Sequence, residues 1–308
     1  MNWVNKHKLP AMEAIKYDNQ PCLSLDSLWN ALHSSFNTTL YHQVNISILN
    51  KIRNKQVTAW VPFSKKEFKI ALKSCKNLST PGLDKLLWNH LKIILTDDVC
   101  ITNIIKIAID LEYWPNHFKI LSTVIIPKPN KLLYDLSKLF RPIVLLNTLG
   151  KLIEKVIGER IQFHVVANNF IHPSQLGGLK FKSTIDVGVA LTHIIWSGWT
   201  KNLSTSTLAF NIAQFFLSLN YQFLMQIIHK AGLDTPVVKF FTNYLIKRKT
   251  NYLWNNFSSP LFNINIGVGQ GSTLSPILLA LYLSPFLFIL EKCLKKSQYS
   301  CFNHFFCR

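Results

Sequence analysis

Apolar residues recur at helical spacing along Asp26-Ser27-Leu28-Trp29-Asn30-Ala31-Leu32, behind an aspartate of the kind that caps helices. The first 60 residues therefore read as a helical lead-in. Ser64-Lys65-Lys66-Glu67 is a capping box, serine and glutamate each satisfying the other's backbone N–H, and it opens a helix over Glu67–Cys75. The turn Thr80-Pro81-Gly82-Leu83-Asp84 feeds helices over Leu86–Leu95 and Asp97–Leu111, the second closed by Trp114-Pro115. Ser122–Ile126 is short and β-branched, and predicts a strand that runs into a basic loop, Pro127–Lys131. Phe140–Leu146 predicts a second strand. Gly150–Asn168 and Ser183–Trp199 predict amphipathic helices, separated by a loop at Leu176-Gly177-Gly178. Thr207–Phe210 reads as a strand followed by a helix from Gln214 to Lys230. Phe262–Ile266 reads as a strand, and the Gly-rich loop Gly267–Gly271 enters an apolar helix. The class is α+β, helix-rich, with segregated helices and few strands.

Composition sharpens this picture. At 308 residues and 48% hydrophobic, the chain has enough apolar surface for a sizeable core. Lys and Arg number 34 against 15 Asp and Glu, a formal charge of +19, so the partner class it favours is a polyanion, nucleic acid first. The six scattered cysteines form no disulfide framework and point to reduced thiols and an intracellular setting, cytoplasm or nucleus. Met1–Pro10 is polar and basic, not a signal peptide. Leu274–Leu290 approaches the length of a membrane span. Pro276 and Pro285 interrupt it, so a buried core helix is expected and no membrane partner.

Three segments carry a resemblance: STVIIPKPNK (Ser122–Lys131) with FRPIVLLNTLGKLIEKVIGERI (Phe140–Ile161), LAFNIAQFFLSLN (Leu208–Asn220), and GVGQGSTLSPILLALYLSP (Gly267–Pro285). STPGLDKL (Ser79–Leu86) and QLGGLKFKSTID (Gln175–Asp186) add to it. In this order they resemble the reverse transcriptases of LINE-like (non-LTR) retroelements, particularly fungal ones. The resemblance implies the fingers and partial palm of a right-hand polymerase. It divides the chain into a connector (1–60), a fingers-like region (61–200), a partial palm (201–295) and an aberrant tail (296–308), with the thumb missing. The intact family copies an RNA template from a DNA primer with Mg²⁺.

By that resemblance Lys128 and Arg141 would contact the triphosphate, where a point charge and a planar fork suit phosphate oxygens. Phe216 would exclude a ribose 2′-hydroxyl. Gln270 and Gly271 would line the nucleotide and template site. Asn211 stands where the family carries the metal-binding Asp at the end of a palm strand. Mg²⁺ requires charged hard oxygens, and asparagine offers a neutral carbonyl. From Val187 onward the acidic residues are Asp234 and Glu291, and the family's Asp-Asp motif is absent. No cofactor is therefore expected to be retained, and the reading is a degenerate, inactive polymerase fragment. The alternative is a non-catalytic RNA- or DNA-binding protein whose Lys180, Lys182, Lys247, Arg248 and Lys249 track phosphates.

The tail KSQYSCFNHFFCR can be back-translated so that a one-nucleotide shift reads into Val-Asp-Asp, which would make it the product of a frameshift. Asn211 and Leu217 each stand one transition away from the residue the family suggests. A strand at Leu208–Phe210 left with an unpaired edge predicts marginal stability and aggregation.

Overall fold

The computed structural model describes residues 15–37, 44–77, 79–95, 103–104, 107–108, 110–207 and 209–296, with backbone alone for 294–296. The tail beyond 296, the basic N-terminus, Leu208 and much of the 97–111 helix lie outside the described residues.

A two-stranded ribbon, β1 (Lys16–Tyr17) and β2 (Gln20–Pro21), precedes α1 (Leu25–Phe36). Ser24, rather than Asp26, caps α1, its hydroxyl accepting from the Ser27 N–H; Asp26 sits in the first turn, where it favours the helix dipole. The Ser64–Glu67 capping box forms as expected and opens α2 (Lys65–Lys73). Helix α3 spans Trp88–Ile94. Strands β3 (Ile120–Pro127) and β4 (Phe140–Leu145) pair antiparallel, Val124 opposite Ile143 and Ile126 opposite Arg141. Helix α4 (Thr148–Ala167) follows at once, then α5 (Thr184–Trp199), α6 (Tyr221–Lys230) and α7 (Thr235–Leu245). The chain re-enters the sheet as β5 (Arg248–Trp254), parallel to β3, turns at Asn255 and returns as β6 (Phe257–Ser258) and β7 (Phe262–Ile264). Pro260 has no N–H to give, and the return strand is split around it. The sheet order is β4-β3-β5-β6, with β7 also on β5. Helix α8 (Ser275–Lys296) ends the described chain.

The main core joins the apolar faces of α2, α3, α4, α6, α7 and the first half of α8. A second core sets α1 on Ile125, Phe140, Tyr252 and Trp254 at one end of a sheet face. Helix α8 is long and apolar enough to cross a membrane by length and composition. Half of that stretch is buried in the fold, including Leu278, Leu281 and Leu287.

Two expectations fail around Asn211. Residues 207 and 209–212 form no strand, and Phe210 is 80% exposed. No described segment pairs with them, and an unpaired strand leaves its N–H and C=O groups to water. The expected helix from Gln214 is a 3₁₀ turn at Phe215–Leu217, and α6 begins only at Tyr221, capped by the Asn220 side chain. Gln214 holds a left-handed backbone (φ 51°), which stops a helix from starting there.

Candidate functional site

The site is organised by the loop after β7. Gly267 and Gly271 take φ +76° and +134°. A Cβ at Gly267 would stand 2.6 Å from the Leu217 carbonyl oxygen, and one at Gly271 2.4 Å from the Val144 carbonyl oxygen. Glycine is therefore required for the backbone to approach this closely. The Val144 N–H donates to the Gln270 carbonyl (2.8 Å), fastening the loop to the edge of β4. The Val268 N–H donates to the Phe216 carbonyl (2.7 Å) and the Gly267 N–H to that of Leu219 (2.9 Å). Phe216, Gln270 and Gly271 are thus brought together by backbone hydrogen bonds across one loop. A cavity of about 40 Å³ lies between this loop and the sheet, lined by Leu121, Thr123, Val144, Leu217, Arg248 and Thr250 among others.

Beneath the loop lies a polar network that sequence reasoning missed. Glu154 of α4 is fully buried and accepts from the Tyr244 hydroxyl (2.7 Å), the Ser272 hydroxyl (2.7 Å) and the Thr273 N–H (3.1 Å). Burial pushes its carboxyl up, against the pull of these donors and of Arg248. The available signal was a lone acid inside the apolar run Leu152-Ile153-Glu154-Lys155-Val156-Ile157. A second tether holds the β4–α4 junction. Asp84 accepts from the Thr148 N–H (2.7 Å), and Gly82 packs so closely that a Cβ would stand 2.4 Å from the Leu146 carbonyl. The STPGLDKL turn thereby acts as a clamp on the start of α4.

The expected phosphate-binding cations separate into groups. Arg141 projects, exposed, from the face of β4 opposite Val144. Lys128 follows β3, its ammonium donating to the Lys138 carbonyl (2.7 Å). Its pKa is lowered by partial burial and by the positive charges of Arg141 and Lys131, which places these three cations together. Lys180 donates to Glu159 (3.1 Å), while Lys182 is exposed. Lys247 and Lys249 are exposed at the start of β5, Lys247 beside the buried Lys119. Arg248 between them corrects the expectation that it tracks phosphates. Strand alternation turns it inward, 4% exposed, where it donates to the Tyr221 hydroxyl and the Gly267 carbonyl. It holds the loop rather than meeting solvent.

Asn211 is exposed in the irregular 209–212 stretch. Neither downstream acid joins it. Asp234 caps α7, accepting from the Thr235 N–H (2.8 Å) and the Trp60 N–H (3.2 Å). Glu291 meets His172 (3.1 Å). Among the described residues no group of three His, Cys, Asp or Glu side chains converges as a metal site would.

The family profile described as "Reverse transcriptase (RNA-dependent DNA polymerase)" matches residues 126–304, a span that includes the end of β3, β4, the Gly-rich loop and Asn211. The chain is 25% identical over 252 residues to the "Probable RNA-directed DNA polymerase from transposon BS" of Drosophila melanogaster, covering 81% of this chain and 27% of that protein. It is also 25% identical over 222 residues to the "Probable RNA-directed DNA polymerase from transposon X-element" of the same species, covering 72% of this chain and 24% of that protein. The chain spans about a quarter of the length of these relatives.

Proposed function

This chain belongs to the reverse transcriptase family, and from that membership we propose that it keeps a polymerase scaffold but cannot transfer a nucleotide. Its domain is of the LINE-like (non-LTR) kind. The observation that carries the proposal is the replacement at position 211. The family's chemistry needs carboxylates that hold two metal ions against the attacking and leaving oxygens. Asn211 brings no charge, and the two acids that follow it, Asp234 and Glu291, are engaged as a helix cap and as a partner of His172. Loss of such electrostatic stabilisation costs several kcal/mol at each position.

The scaffold around the gap is retained. Gln270 and Gly271 lie in one loop that Phe216 joins through its carbonyl, and Lys128, Lys131 and Arg141 form a cationic cluster on β4 and the segment after β3. These would receive a triphosphate and a template in an intact relative. The fingers and partial-palm assignment of the scaffold belongs to this proposal.

A second reading is supported by charge. A formal +19 together with the Lys128–Lys131–Arg141 cluster suits phosphate binding without catalysis, and the chain would then bind RNA or DNA non-specifically. The test uses purified chain, a DNA primer on an RNA template, dNTPs and either Mg²⁺ or Mn²⁺. No extension above a blank preparation is expected, while salt-sensitive retention of the template supports the second reading. Sustained primer extension abolished by substituting Asn211 would overturn the proposal.

A further inference from the structure

Helix α5 is the one long described helix in which no residue is buried, although its sequence, TIDVGVALTHIIWSGW, is strongly apolar. Its residues are not exposed at random. Val187, Ala190, Ile194, Ile195, Ser197 and Gly198 are half-buried and cluster on one side of the helix. Ile185, Val189, Thr192, Trp196 and Trp199 are all exposed, and their spacing is four, three, four, three. That is the heptad seam by which one helix packs along another. Phe181 (91% exposed) extends it before the helix and Leu203 (53% exposed) after it.

The size of this surface is the second observation. Phe181, Trp196 and Trp199 alone present roughly 450 Å² from their exposed fractions, at about 150–250 Å² for a whole aromatic side chain. With Ile185, Val189 and Leu203 the patch approaches the ~800 Å² that one partner contributes to a standard interface, and exceeds the ~300–600 Å² patch of a typical monomer.

We propose that α5 is a homodimerisation helix that pairs antiparallel with α5 of a second copy, centred on Thr192. The pairing is self-complementary in size. About that centre Trp196 of one copy stands opposite Gly188 of the other, and a Cβ at Gly188 would meet no atom within 4 Å. The largest seam side chain thus faces an open gap. Trp199 stands opposite Ile185, which keeps the seam apolar. The pairing is also self-complementary in charge. Helix α5 has an acid, Asp186, in its first turn and no basic residue in its last. Antiparallel pairing carries Lys182 of one copy to the C-terminal carbonyls of the other, where a cation is favourable. It also brings Lys201 within about one helical turn of Asp186. A parallel pair would set like charges together.

The test is sedimentation equilibrium of the full chain at micromolar concentration, with circular dichroism to follow the fold. The wild-type chain is expected to be a discrete dimer. Val189→Glu, which puts a carboxylate into the seam on both copies, is expected to raise the dimer dissociation constant at least ~100-fold. Gly188→Leu favours the helix and adds apolar area but fills the gap opposite Trp196. It is expected to weaken the dimer by ~10-fold or more without loss of helicity. Lys201→Glu is expected to weaken it less, and the effect should fade in high salt. A wild-type monomer would overturn the proposal. So would a dimer or aggregate indifferent to Val189→Glu, a dimer strengthened by Gly188→Leu, or a monomer that instead floats with neutral lipid vesicles through this face.

Discussion

Removing the Glu154 carboxylate by Glu154→Ala takes away four hydrogen bonds at once, those from the Tyr244 hydroxyl, the Ser272 hydroxyl, the Thr273 N–H and, at 3.4 Å, the Thr273 hydroxyl, which keeps the Lys151 carbonyl as a partner. The Tyr244 and Ser272 hydroxyls stand 3.4 Å apart and can turn to each other, so one orphan remains, the Thr273 N–H. A buried orphan costs about 1–3 kcal/mol. Against this, removal relieves the cost of burying a carboxylate that burial already pushes up. The net loss expected is roughly 1–3 kcal/mol. Glu154→Gln keeps an acceptor for Thr273 and should cost only about 1–2 kcal/mol. Urea unfolding at neutral pH reads this as a drop in midpoint with an unchanged slope. The pH dependence supplies an independent sign. A carboxyl raised in the folded state stabilises most in acid, and loses that contribution as pH rises through its folded value. The Glu154→Gln chain should lose this component of the wild-type pH profile. A loss under about 1 kcal/mol for Glu154→Ala, or a larger loss for the glutamine variant, would refute this account of the network.

Other outcomes follow from the same geometry. Glu67 is bidentate to Arg160 and closes the Ser64 capping box, and its pKa is lowered. Its contribution, about 1 kcal/mol after solvent screening, should be present at neutral pH and be lost as pH falls below about 4.5, seen as a Glu67→Gln difference that vanishes in acid. Gly271→Ala should destabilise by about 2–4 kcal/mol in the same unfolding assay, because its positive φ and the Val144 carbonyl leave no room for a Cβ. Arg141→Ala and Lys131→Ala should each reduce the salt slope of RNA binding by about one while leaving stability nearly unchanged. Arg248→Ala should instead unfold the loop region and lower the melting midpoint.

Much of the scaffold was legible because local chemistry and tertiary packing agree there. The Ser64–Glu67 box and the β3–β4 hairpin, with its basic connection, appear within a residue or two of expectation. Strand β5 was overlooked since its inward positions include Arg248 and Thr250, so the alternation is one of burial but not of hydrophobicity. Helix α7 was hidden behind Asp234-Thr235-Pro236, which reads as a break and is in fact a cap followed by a first-turn proline. The strand at 207–210 failed for another reason. Apolar spacing can nominate a strand, but only a neighbour can satisfy its backbone. Around the loop, the glycines at 267 and 271 announce the close backbone approach, while Glu154 left only the trace of a lone acid in a mostly apolar stretch, with no periodicity to say that it is buried. Arg248 shows the converse error: a charge inside a basic run reads as surface until the strand register turns it inward.

The central claim is that no pair of divalent ions is held beside Asn211. Electron paramagnetic resonance of Mn²⁺ titrated into the full chain, with primer, RNA template and a non-hydrolysable dNTP present, tests it directly. The spectrum is expected to follow a matched sample of nucleic acid and nucleotide without protein, and to be unchanged by Asn211→Ala. One or two tight protein-dependent Mn²⁺ sites that vanish with Asn211→Ala would contradict the account.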